Sequence, residues 1–163
     1  MNEVPEFLRT EVWHPLSVHF PIALLLIAAL FKGASLFSKT KTWENAGSVL
    51  LYLGTIGAWI SIFTGDMADG VVSRELCDPT VLKDHENAAW RLVYLFSVAS
   101  VIDIIRITKI ISLKPNLIKV VAVLLMLVGS GFLMYTGHLG AKLVYQQGAG
   151  VYHPSEDCEE FSE

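Results

Sequence analysis

Trp13-His14-Pro15-Leu16-Ser17-Val18-His19-Phe20-Pro21 opens a run that continues from Ile22 to Phe31 and meets no charged residue before Lys32. A stretch this long and this apolar reads as a membrane-crossing helix, because about 20 helical residues cover a hydrocarbon core. Pro15 suits a first helical turn, where its missing N–H costs nothing, whereas Pro21 removes a bond inside the ladder and predicts a kink just beyond His19. Histidines at the mouth of such a helix are costly in lipid and mark a functional site by default. His14 and His19 are five residues apart, which at about 100° per residue points them some 140° away from each other. They need not serve one ion.

The remainder of the chain agrees with this reading. Of its 163 residues 53% are hydrophobic and only 17% charged, and a mean hydropathy of +0.50 makes the bilayer the expected solvent. The apolar residues fall in four continuous blocks, about Pro15 to Phe37, Ala46 to Thr64, Ala88 to Ile111 and Ile118 to Leu139. A barrel would instead show short alternating segments. The fold class is therefore all-α, an integral membrane four-helix bundle forming one domain over residues 1–163, with a polar loop at 65–87 and a polar tail at 141–163. No basic region or small-residue cleavage site precedes the first block, which reads as a retained helix and not a signal peptide. The net charge of −4 is concentrated in the ends and the central loop. No basic patch points to nucleic acid.

Local signals refine the four spans. The second carries Gly47, Gly54, Ala58, Ser61 and Gly65 on one face, which admits either another helix or the edge of a flat cofactor. Asp78-Pro79 reads as an N-cap and first helical residue, so the third helix begins outside the membrane and carries His85 about a turn above its apolar part. Lys114-Pro115-Asn116 signals the last turn. Lys32 reads as a snorkelling residue near the end of the first helix, and Asp103 with Arg106 as a structural pair three residues apart.

Four spans put both ends on one side. Lys39, Lys41, Arg106, Lys109, Lys114 and Lys119 surround the two short connections of the other side, which the positive-inside rule assigns to the cytoplasm. The N and C termini are then periplasmic and the protein a multi-pass component of a bacterial inner membrane. Cys77 and Cys158 both fall on the oxidising side, where a disulfide between them is permitted; two unpaired thiols is the alternative.

The topology gathers His14, His19, His85 and His138 at one end of the bundle. His19 and His138 are expected at similar depths on different helices, the first choice for two axial ligands of a haem standing upright in the bundle. His14 and His85 form the second choice, either for a second haem or as propionate partners. Arg91 and Lys142 are further candidates for propionates, with plain interfacial snorkelling as the alternative. Gly131 lies seven residues from His138, on the same face, and leaves a gap beside that imidazole. No haem-attachment pattern follows either cysteine, so one or two non-covalent b-type haems are expected. Copper or zinc is the competing chemistry, with Asp66 or Asp69 joining the imidazoles. A third reading makes the histidines part of a docking subunit with no catalytic role.

Three groups of residues carry a family resemblance. They are His14-Pro15-Leu16-Ser17-Val18-His19-Phe20-Pro21-Ile22, then Thr64-Gly65 with His85 and Ala88, then Thr136-Gly137-His138-Leu139-Gly140 followed by Leu143-Val144-Tyr145, Gly148, Gly150 and Val151. Together they resemble the bacterial four-helix membrane proteins grouped as a domain of unknown function. The likeness runs from His14 to about Val151. It implies association with c-type cytochrome modules, hence redox chemistry at the periplasmic face, with His14, His19, His85 and His138 as the family's motif histidines. Besides the lipid bilayer, such a small chain is expected to have partners, in a hetero-oligomeric redox complex or a homo-oligomer.

Overall fold

The structure is a computed structural model that describes residues 9–110 and 114–151. Four helices account for nearly all of these: α1 (Thr10–Ser35), α2 (Thr42–Val72), α3 (Pro79–Thr108) and α4 (Pro115–Gln147). They contain between 26 and 33 residues each, so at 1.5 Å per residue they are about 39 to 50 Å long. All four are long and apolar enough to cross a membrane, and they overrun the roughly 30 Å hydrocarbon core. The polar stretch after Thr64 is mostly helix: α2 continues to Val72 and α3 starts at Pro79. Asp78 caps α3 as its sequence predicts, its carboxylate accepting from the Thr80 amide at 2.9 Å.

The helices run up and down as two hairpins, α1 with α2 and α3 with α4, which meet along α2·α3 and α1·α4. We call the end holding the α2–α3 connection the upper end and the opposite one the lower end. The small-residue face of α2 is filled by α1. A Cβ on Gly54 would lie 2.7 Å from Leu25, one on Gly57 3.3 Å from the Pro21 ring, and one on Gly47 3.0 Å from the Lys32 side chain. The α1 helix continues through Pro15 and Pro21, and Pro21 is seated where α2 lacks a side chain. Gly129 gives the same clearance to Phe96 between α3 and α4, at 2.9 Å. Small residues at these crossings let the backbones approach closely, the packing mode available where lipid removes the hydrophobic drive between helices.

Burial is distributed as lipid solvation requires. Leu25, Leu51, Val93, Phe96 and Met126 form the apolar centre, and Lys32, Asp103, Ser48, Thr55, Ser61, Thr64 and Thr136 are also buried. Phe20, Leu30, Phe37, Phe63 and Met134 face outward. Apolar groups are stable against acyl chains, whereas charged and polar ones need internal partners.

Candidate functional site

At the upper end, one histidine from each hairpin reaches the middle of the bundle. His14 on α1 and His85 on α3 are partly buried, with ring centroids 6.1 Å apart and ring planes at 89°. The His14 Nδ1 lies 3.0 Å from the Ser61 carbonyl oxygen of α2, and the His85 Nδ1 lies 3.0 Å from the Thr136 carbonyl oxygen of α4. A carbonyl only accepts, so each Nδ1 must carry the proton and donate it. In a neutral ring this leaves Nε2 as the bare nitrogen, the tautomer that suits a metal ligand. Neither Nε2 has a partner among the described residues, and neither is sealed off: Ser130 Oγ is the one fully buried, unpartnered side-chain polar atom among them.

The two rings are seated by glycines. A Cβ at Gly65 would come within 3.1 Å of the His14 ring, and one at Gly140 within 3.3 Å of the His85 ring. Around His14 a hydroxyl cluster completes the setting. Ser17 Oγ donates to the His14 carbonyl at 3.0 Å and pairs with Thr64 Oγ1 at 2.8 Å, while Ser61 Oγ returns to the Gly57 carbonyl. Each imidazole is therefore held in orientation by backbone from the neighbouring helix, with little side-chain freedom to lose on binding.

The other histidines lie elsewhere. His19 and His138 are exposed on the outer faces of α1 and α4, and neither makes a hydrogen bond or ring contact with another described residue. Gly131 is exposed as well and borders an apolar groove with Val128, Phe132 and Tyr135. Arg91 is exposed and holds its guanidinium 5.9 Å from the centre of the Phe132 ring. Lys142 is half-buried with no partner among the described residues. Cys77 is exposed, but Cys158 lies outside the described residues and so does the pairing of the two. Among the described residues no three His, Cys, Asp or Glu side chains form a group able to hold a metal ion, Asp66 and Asp69 included.

The lower end holds what residue reading missed. Lys32 does not snorkel: it is 2% exposed and Asp103 1%. The Lys32 Nζ donates to Asp103 Oδ1 and to Ser48 Oγ, both at 2.6 Å. Arg106 donates to Asp103 Oδ1 through Nε at 3.1 Å and Nη2 at 2.9 Å, and the Tyr52 hydroxyl donates to Oδ2 at 2.9 Å. Arg106 also pairs with Glu44. Lys119 adds α4, reaching Glu44 at 3.2 Å and the Ser35 carbonyl at 2.7 Å. The Asp103–Arg106 pair expected from the sequence is thus one part of a network drawn from all four helices. Lys32, a charge in the last turn of an apolar helix, was the available signal, since a charge held inside a membrane bundle requires a partner.

Four apolar helices with charged and hydrogen-bonding groups turned inward define an integral membrane four-helix bundle. The chain belongs to the family described as Predicted membrane protein (DUF2231), which matches residues 11–153. No curated protein and no solved structure matches it.

Two imidazoles, each with Nδ1 engaged by a main-chain carbonyl, are a donor set that haem iron could take. The His14 and His85 ring centres are 6.1 Å apart, close enough for both imidazoles to reach one ion through bonds of about 2 Å. Haem supplies four nitrogens of its own, so two protein ligands complete it, whereas structural zinc takes four protein ligands and catalytic zinc three.

Proposed function

We propose that this chain is a b-type haem protein of a bacterial inner membrane, with its upper end periplasmic, and that it passes electrons between redox partners near that face. One observation carries the reading. The His14 and His85 rings stand 6.1 Å apart across the bundle with both Nδ1 atoms committed to main-chain carbonyls. The Nε2 atoms are the ligands in this proposal. A bound haem supplies reversible one-electron transfer. With two protein ligands no iron position remains for a gas or a substrate, which favours electron transfer over oxygen chemistry. Lys142 and Arg91, on the α3–α4 side, are candidate cations for the propionates. The cations around the two lower connections support the orientation, and a c-type cytochrome module is the partner that the family resemblance favours.

The test is the absorption spectrum of detergent-purified protein from haem-replete cells, oxidised and then reduced, with a pyridine haemochrome assay. The expected result is a six-coordinate low-spin b-type spectrum that His14→Ala and His85→Ala each abolish or convert, and that His19→Ala and His138→Ala leave intact. A colourless preparation carrying copper or zinc would overturn the haem assignment. Loss in the His19 and His138 variants with retention in the other two would move the site to the outer faces.

A further inference from the structure

The two hairpins repeat several of their buried contacts at a constant register. Adding 71 to a position on α1 gives its counterpart on α3, the separation of Lys32 and Asp103. Adding 75 to a position on α2 gives its counterpart on α4, the separation of Glu44 and Lys119. These two shifts carry Leu25 to Phe96, Ala28 to Ala99, Leu51 to Met126, Gly54 to Gly129 and Ala58 to Leu133, all buried. They also carry contacts onto contacts. Gly54 against Leu25 becomes Gly129 against Phe96, and Gly65 against His14 becomes Gly140 against His85. The bond from His14 Nδ1 to the Ser61 carbonyl becomes that from His85 Nδ1 to the Thr136 carbonyl, at the same 3.0 Å. Any up-and-down bundle has rough two-fold symmetry. A constant register that reproduces three kinds of side-chain contact does not follow from that topology alone.

Counterparts meet one another across the middle of the bundle at three levels. At the lower end they are Lys32 with Asp103 and Glu44 with Lys119, bonded at 2.6 and 3.2 Å. At the upper end they are His14 with His85. Where identical residues would bury like charges, the halves carry opposite ones. Only at the upper end do the chemistry-bearing counterparts remain the same residue. The lower pairs also make the association directional, because two copies of the first hairpin would set Lys32 against Lys32.

We infer that the chain is a fused pair of equivalent helical hairpins and that His14 and His85 are equivalent ligands to a single metal centre on the axis relating them. The metal centre rests on the proposed function; the equivalence adds that neither histidine is the principal ligand. The chemistry required is one ion with two opposed open positions, met by iron in a porphyrin and also by a bare two-coordinate ion.

The full-length protein in detergent, freed of bound metal, is labelled with 15N at histidine and titrated in separate experiments with hemin, Cu(I) and Zn(II). Before addition both His14 and His85 should show the Nδ1–H tautomer. Addition of hemin should perturb both at one equivalent per chain, and His14→Ala and His85→Ala should weaken hemin binding by the same factor to within about twofold. External imidazole should restore a six-coordinate spectrum in both. Hemin bound through only one of the two histidines would overturn the equivalence and leave the haem reading standing. Copper or zinc bound equally by both, with no hemin bound, would overturn the haem reading and uphold the equivalence. No perturbation by any of the three would overturn both. The wild-type titration decides the matter even where a variant fails to fold.

Discussion

Replacing Asp103 with leucine removes the acceptor on which the lower network converges. Four donor contacts end on its carboxylate, from Lys32 Nζ, Arg106 Nε and Nη2, and the Tyr52 hydroxyl. Arg106 retains Glu44, but Lys32 is left with Ser48 alone while 2% exposed. Stranding one member of a buried ion pair costs about 3–5 kcal/mol, a loss of roughly two to nearly four decades in the folding equilibrium. Lys32→Met in the same background removes the stranded cation and keeps an unbranched chain of similar reach against Gly47. The double variant should therefore be more stable than Asp103→Leu, with a coupling between the two substitutions of about 2 kcal/mol, the order found for residues in one network. Reversible unfolding in mixed micelles, followed by circular dichroism for the wild type, both single variants and the double, measures the cycle. Additive losses, or a cost below about 1 kcal/mol for Asp103→Leu alone, would refute a buried, mutually dependent pair.

Crossing glycines and open glycines should behave oppositely. Gly54→Ala and Gly129→Ala place a Cβ 2.7 Å from Leu25 and 2.9 Å from Phe96, so each should cost about 1–3 kcal/mol by overpacking, whereas Gly131→Ala, with nothing within 4 Å, should be neutral or stabilising by up to about 1 kcal/mol; the same micelle titration ranks them. The Asp78 carboxyl is held below the usual carboxylate range by the Thr80 hydroxyl and amide. Its contribution to the start of α3 is complete above about pH 4 and is lost as pH falls through the lowered folded value. Melting curves against pH should show that loss in the wild type and not in Asp78→Asn, which keeps the cap without the charge. Gly65→Val and Gly140→Val should each displace the adjacent imidazole, and the histidine 15N spectrum should report a change at His14 in the first and at His85 in the second.

The fold class was legible from the sequence because hydropathy over some 20 residues integrates many small transfer terms, and no single contact can reverse the sum. The start of α3 was legible for a local reason, Asp78 ahead of Pro79. Spacing also showed that His14 and His19 point apart, since a helix sets the angle between residues wherever it lies. Which of the two faces inward is another matter. That depends on how α1 is rotated against α2, and the seating of Pro21 on Gly57, Leu25 on Gly54 and His14 on Gly65 sets that rotation. The same packing turns Thr136 inward and His138, two residues on, outward. The partner of Lys32 was likewise out of reach of local reading, because Asp103 is distant in sequence and the pair forms only where the hairpins meet. The sequence alone thus determined that four helices cross a bilayer with histidines gathered at one end. The tertiary structure decided which two histidines face each other, because helix rotation is fixed by side-chain packing between helices and not by the periodicity within one.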